Sequence, residues 1–279
     1  MIPVPLKRAL AHPSFLVGAV LSLLIVFVAG LSLVWTPGDP AQMNIMGRLK
    51  PPSREYWFGT DQFGRCIASM LMVGARNALV VGVVAVGIGL VFGLLLGVLV
   101  ASLEGSLIDE AIMRSLDFVF AFPAILTAIL IMTFLGPGQV NAVIAIGIFS
   151  IPVFARLARG AALQVMACDY VRAARVAGSR RTGIVFRHVL PNIAGLMIVQ
   201  ASIQFSLAIL AEAGLSYLGI GTQPPNPSWG RMLNDAQTYL GIAPTLAIFP
   251  GAAIALAVLA FNLLGDGLRD LLDPRLKER

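Results

Sequence analysis

Six stretches of the chain, 15–34, 78–101, 116–135, 140–157, 193–215 and 243–264, carry almost nothing but apolar side chains. Each is bounded by charges, prolines or glycines. About 20 helical residues rise roughly 30 Å, the thickness of a bilayer's hydrocarbon core, so each stretch is a candidate span. The runs are continuously apolar rather than alternating with period two, which favours helices over barrel strands. The fourth is interrupted by Pro152 and closes at Arg156. The first follows Lys7 and Arg8 as a secretory leader would, but it is long for one and lacks a small-x-small cleavage site before Trp35-Thr36-Pro37. It is expected to stay as a signal anchor.

Composition agrees with lipid as the main solvent: 58% of residues are hydrophobic, 12% are charged and mean hydropathy is +0.87, far from the balance of a soluble domain. Six spans place both termini on one side, and the basic residues choose it. Fourteen of the 20 Lys and Arg fall at the termini, at Arg114 and in the 156–187 region, so this side is expected to be the cytoplasm. The net charge of +6 is then a consequence of topology. No basic face interleaved with aromatics suggests nucleic-acid binding. Cys66 and Cys168 fall on opposite sides and are not expected to pair.

A Walker-type phosphate loop needs a lysine after a glycine, and Lys7, Lys50 and Lys277 all follow leucine. His12 and His188 form no zinc-binding pattern, and Gly214-Leu215-Ser216 only superficially resembles a nucleophile turn. The chain is therefore not expected to be an enzyme, nor to hold a metal or cofactor. Glu212 stands out as a carboxylate well inside an apolar run, where charge is kept for function or pairing. Gln200, Gln204 and Asn262 are the other polar residues that can line a pathway or join helices. Gly89, Gly93 and Gly97 form two Gly-x-x-x-Gly steps that permit close helix approach. Pro123, Pro152 and Pro250 are expected to kink their helices. The long connection from Trp35 to Arg76, rich in proline, is expected together with Ser216 to Leu240 to help receive a partner.

The 159–192 connection is long, basic and helical in pattern. Asp169 is expected to cap a short helix starting near Tyr170, with Val171, Ala174 and Gly178 at helical spacing and Gly178 ending it. Arg172, Arg175, Arg180 and Arg181 rim this helix. Leu190-Pro191 then opens the fifth span, with proline at a first-turn position.

Arg172-Ala173-Ala174-x-x-x-Gly178, nine residues and then His188-Val189-Leu190-Pro191 resemble the Glu-Ala-Ala loop of ABC importer permeases, with Arg172 for Glu and His188 for Ile. Tyr170 to Arg175 is similar to the peptide branch of that family, as are Trp57-Phe58-Gly59-Thr60-Asp61-Gln62-Phe63-Gly64-Arg65, Gly74-Ala75-Arg76, Ala121-Phe122-Pro123, Ala211 to Gly219, Pro227-Ser228-Trp229-Gly230, Phe261 to Asp270 and Leu272-Asp273-Pro274. The resemblance, to the second permease subunit of dipeptide, oligopeptide and nickel importers, covers nearly the whole chain.

It implies an all-α integral membrane protein of about six spans with the ABC type I importer permease fold and a cytoplasmic coupling helix. The implied layout is a cytoplasmic segment 1–14, a first span with its outer loop 15–77, a permease core 78–266 containing the coupling loop 159–192, and a cytoplasmic tail 267–279. The implied partners are a homologous second permease, two ATP-binding subunits that hold ATP and Mg²⁺, and an extracytoplasmic substrate-binding protein, all at the cell inner membrane. Asp169, Tyr170, Arg172, Ala173, Ala174, Gly178, Leu190 and Pro191 are the implied contacts to the ATPase. Dipeptides or short oligopeptides are the implied cargo, with nickel, nickel chelates or glutathione as alternatives. A stand-alone secondary carrier and a structural or assembly membrane protein are rivals outside the family.

Overall fold

The computed structural model describes residues 13–272. Segment 1–14 therefore lies almost wholly outside the described residues, as does most of the 267–279 tail with Arg275, Lys277 and Arg279. Among the described residues the secondary structure is helical apart from one isolated bridge between Thr60 and Cys66.

The helices are α1 (Pro13–Leu31), α2 (Ile67–Ser102), α3 (Leu107–Phe120), α4 (Ala124–Leu135), α5 (Gln139–Met166), α6 (Asp169–Val176), α7 (Arg181–Tyr217), α8 (Trp229–Ala236) and α9 (Thr245–Leu272). Five of them, α1, α2, α5, α7 and α9, are long and apolar enough to cross a membrane. Except for α1, which stops at Leu31, they outrun the apolar runs that foretold them, because a helix ends where its backbone loses partners rather than where lipid ends. Thus α2 starts at Ile67, ahead of the expected boundary at 78, and α9 runs to Leu272, past the boundary at 267.

The third run differs more. Instead of one span over 116–135, α3 and α4 meet at an angle of 94°. Pro123 has no N–H to continue α3 and pushes Phe122 out of helical geometry, so α3 stops and α4 restarts with Pro123 as its cap. Pro152 and Pro250 instead lie inside unbroken helices.

Small residues bring the long helices together. A Cβ on Gly93 would sit 2.5 Å from the Phe154 Cβ, while Gly89 faces Ser150 and Gly97 faces the Ala155 carbonyl. The two Gly-x-x-x-Gly steps are thus the seam between α2 and α5, a packing contact within the chain. Gly18 of α1 lies against the backbone at Leu264 of α9, and Gly267 against Phe15. The start of α1 therefore meets the end of α9.

The bundle has two distinct ends. One, the basic end, gathers the start of α1, the 103–106 turn, α6 and the end of α9. The other, the capped end, is covered by the 32–66 stretch and α8. Side chains such as Leu23, Phe27, Val83 and Leu95 are largely exposed on the flanks, as expected where lipid replaces water.

Candidate functional site

At the basic end, α6 begins one residue earlier than expected. The Cys168 carbonyl accepts from the Val171 and Arg172 N–H groups, so Cys168 occupies the cap position without a side-chain bond. Asp169 is therefore the first helical residue and does not cap. Its carboxylate lies 3.5 Å from Arg172 at the surface.

The other end of α6 follows the sequence closely. Gly178 has φ of +85°, its N–H donates to Arg175 O, and the Ser179 N–H donates to Ala174 O. That pair of bonds is a Schellman motif, which favours glycine at the left-handed position.

Val171 is the foot of the helix. It is fully buried with Ile184, Val189, Ala158 and Ala162. Ala174 is half-buried, whereas Ala173, Ala177 and Gly178 are exposed and Val176 is 90% exposed. The outward face thus consists of small and apolar groups flanked by Arg172, Arg175 and Arg180. A cavity of about 530 Å³ separates α6 from the 103–106 turn, with Glu104, Arg172, Arg175 and Arg181 in its walls.

The regular α-helical part of α7 begins at Leu190 with Pro191 in its first turn, as expected, but it is continuous with the turns before it. Residues Val185–Val189 form a π-helical turn, and the Leu190 N–H reaches back to Val185 O. This wider turn joins the Arg181 stretch to Pro191, which can make no such bond of its own. Asn192 Nδ2 donates to His188 O at 2.6 Å and to Tyr170 Oη at 3.3 Å. The His188 and Tyr170 rings meet edge to face at 5.8 Å. Tyr170 and His188, far apart in sequence, thus lock α6 against the base of α7.

The four expected pathway residues separate. Glu212 is enclosed and accepts from Ser216 Oγ at 2.6 Å and Thr222 Oγ1 at 3.0 Å, while the Thr222 N–H donates to Ser216 Oγ at 2.8 Å. This side chain fastens the stretch after α7 and does not face an open route. Gln204 is buried, Gln200 and Asn262 are half-buried, and none of the three side chains makes a hydrogen bond among the described residues.

Around Glu212 the capped end draws distant motifs together. Asn77 Nδ2 donates to Pro227 O at 2.7 Å, and Trp229 Nε1 donates to Leu71 O at 3.0 Å with its ring against Gly74. Arg65 Nε donates to Asp61 Oδ2 at 2.6 Å and its Nη2 lies 3.6 Å from Asp235, which also pairs with Arg231 at 3.1 Å. Burial pushes the Asp235 carboxyl above the usual carboxylate range, against the pull of Arg231 and Arg65.

Sequence reasoning missed two ion pairs between α3 and α5. Asp109 accepts from Arg159 Nε at 3.1 Å and Nη2 at 2.9 Å, and Asp117 lies 2.7 Å from Arg156 Nη2. Glu212 is accordingly not alone, since Asp117 also stands inside an apolar run. The available signal was Asp117 within 116–135 together with an Arg156 that ends a run without ending its helix.

A family model described as "Binding-protein-dependent transport system inner membrane component" matches residues 93–278. The chain is 44% identical over 262 residues to the dipeptide transport system permease protein DppC of Alkalihalophilus pseudofirmus, covering 94% of this chain and 86% of the relative. It is 44% identical over 256 residues to the glutathione transport system permease protein GsiD of Pectobacterium atrosepticum, covering 91% and 85%. A putative peptide transport system permease protein of Brucella abortus is 42% identical, covering 97% and 91%. Among solved structures, the MetNI methionine ABC transporter in inward-facing conformations matches with a TM-score of 0.61 at 21% identity, covering 73% of this chain and 97% of the matched chain. This last likeness concerns the fold.

Proposed function

As a chain that belongs to the binding-protein-dependent transport system inner membrane components, this is an ABC importer permease, and we propose that it carries short peptides into the cell with force delivered through α6. The observation that carries the reading is the outward face of α6, small and apolar within a rim of arginine, standing on the single buried foot of Val171. A partner ATPase grips that face. Asp169, Tyr170, Arg172, Ala173, Ala174 and Gly178 make or shape the contact, and Leu190 and Pro191 pass its displacement into α7. A continuous helix transmits displacement well, and the spans respond by switching between discrete packings.

In this reading the basic end is cytoplasmic, in keeping with the bias of Lys and Arg, and both termini lie there. The chain pairs with a homologous second permease. Two ATP-binding subunits hold ATP and Mg²⁺, and an extracytoplasmic binding protein docks on the capped end. Gln200, Gln204 and Asn262 contribute to the route on α7 and α9.

Dipeptides are the first choice of cargo because of the relative named for dipeptide transport. Glutathione is the second, because relatives named for its transport reach 49% identity over 226 residues. The test is uptake into liposomes by the complex reconstituted with its ATPases and binding protein. ATP-dependent entry of a labelled dipeptide supports the proposal. Equal entry without the ATPases would instead make the chain a stand-alone carrier.

A further inference from the structure

We propose that Asp117 and Arg156 form a subsite for the charged ends of a peptide in transit, the carboxylate receiving its ammonium and the guanidinium its terminal carboxylate. This rests on the peptide reading above. Two ion pairs join α3 to α5, and they differ in kind. Arg159 grips both oxygens of Asp109 through Nε and Nη2, and the Asp109 side chain is only 8% exposed. That pair is closed and fastens the two helices.

The second pair is open. Arg156 reaches Asp117 through Nη2, while its Nε is buried without a hydrogen-bond partner among the described residues. The Asp117 side chain is 58% exposed and that of Arg156 is 35% exposed. The 35% exposed guanidinium has Asp117 as its one ionic contact among the described residues, so its exposed terminal nitrogens keep the capacity to receive a second carboxylate.

Depth makes the openness informative. A Cβ on Gly97 would lie 3.0 Å from the Arg159 backbone nitrogen, so Arg159 is level with Gly97. Arg156 is nearly one turn deeper, while α2 stays apolar out to Ala101. The pair therefore lies within the apolar layer. Charges held there face a water-filled cavity or one another, and they mark substrate pathways.

The surroundings suit a peptide of variable side chains. The Arg156 guanidinium lies 4.2 Å over the Phe120 ring, which stacks on Phe149 at 6.2 Å. Phe118 and Phe122 are exposed beside the break at Pro123. These aromatic walls contact apolar side chains without selecting among them, and the two charges read only what every peptide with free termini has.

The experiment uses the full importer in liposomes and compares uptake of a dipeptide with its C-amidated and N-acetylated forms. Arg156→Gln is expected to slow uptake of the free dipeptide about tenfold, as loss of one charged hydrogen bond would, and to slow the amide far less. Asp117→Asn is expected to narrow the preference over the acetylated form in the same way. The binding protein is common to all samples, so its own selectivity cancels. Unchanged preferences would overturn the subsite while leaving wild-type peptide uptake intact, whereas absence of wild-type uptake would remove the peptide reading and the subsite with it. Asp117→Cys gives an independent measure with a membrane-impermeant thiol reagent. Labelling beyond that of the parent's Cys66 and Cys168, slowed by dipeptide, supports the proposal. A thiol shielded throughout the transport cycle, by lipid or by a partner subunit, refutes it.

Discussion

At the capped end, Trp229 and Asn77 bond across to backbone carbonyls on other segments, Glu212 gathers two hydroxyls, and Arg65 lies between Asp61 and Asp235. At the basic end, α6 rests on Val171, the Tyr170 contact and its own Schellman bonds, while its arginines and Ala173 stand exposed. Buried polar bonds make the first region a rigid lid, because each one left unmade would cost the desolvation of its groups. The second leaves its outward face exposed, which the proposed function assigns to another protein. Damage at the capped end should therefore appear as lost stability, and damage on the face of α6 as lost coupling.

The largest effect is expected from Glu212→Ala, which strips the acceptor from the Ser216 and Thr222 hydroxyls. Two buried donors left without partners cost about 2–6 kcal/mol. The melting temperature of the purified chain in detergent should fall accordingly, and Glu212→Gln, which keeps a carbonyl acceptor, should recover much of it. A full-strength Glu212→Ala protein would break the contrast between the ends.

Next comes Gly93→Val in the α2–α5 seam, where the added carbon lands 2.5 Å from the Phe154 Cβ. Overpacking of this kind costs about 1–3 kcal/mol, to be read as a lower melting temperature and poorer assembly of the complex. No change in either would mean that the seam is looser than its geometry.

Gly178→Val probes the other region. The φ of +85° penalises any side chain, although open space surrounds the position. The cost is about 1–2 kcal/mol, confined to the end of α6. Uptake and co-purification of the ATPase should drop several-fold while bundle melting hardly moves, and Gly178→Asn should be milder. Equal losses of melting and uptake would erase the distinction.

The smallest stability effect belongs to Arg172→Ala. The side chain is exposed and its contact with Asp169 is long, so melting should stay within about 0.5 kcal/mol of wild type. ATPase affinity, measured by titration of the reconstituted permease, should still weaken. Unaltered affinity would remove Arg172 from the contact.

The sequence by itself determined the features that depend on neighbours along the chain. Apolar runs of bilayer length gave the long helices, Gly178 ended α6, and Gly89, Gly93 and Gly97 announced a close helix seam, because periodicity, glycine's freedom at positive φ and the lack of a Cβ are local properties. Asp169 shows where local reasoning slips by one residue: a cap depends on which carbonyl closes the first turn. Tertiary structure alone decided that the motifs around Trp57, Gly74, Glu212 and Trp229 converge on one end, and that Pro123 breaks a span through 94° while Pro152 and Pro250 stay within unbroken helices. It also decided that Arg159 closes on Asp109 while Arg156 stays open beside Asp117. Those outcomes follow from which faces of separate helices meet, a relation set by side-chain packing across the whole bundle rather than by any single stretch of sequence.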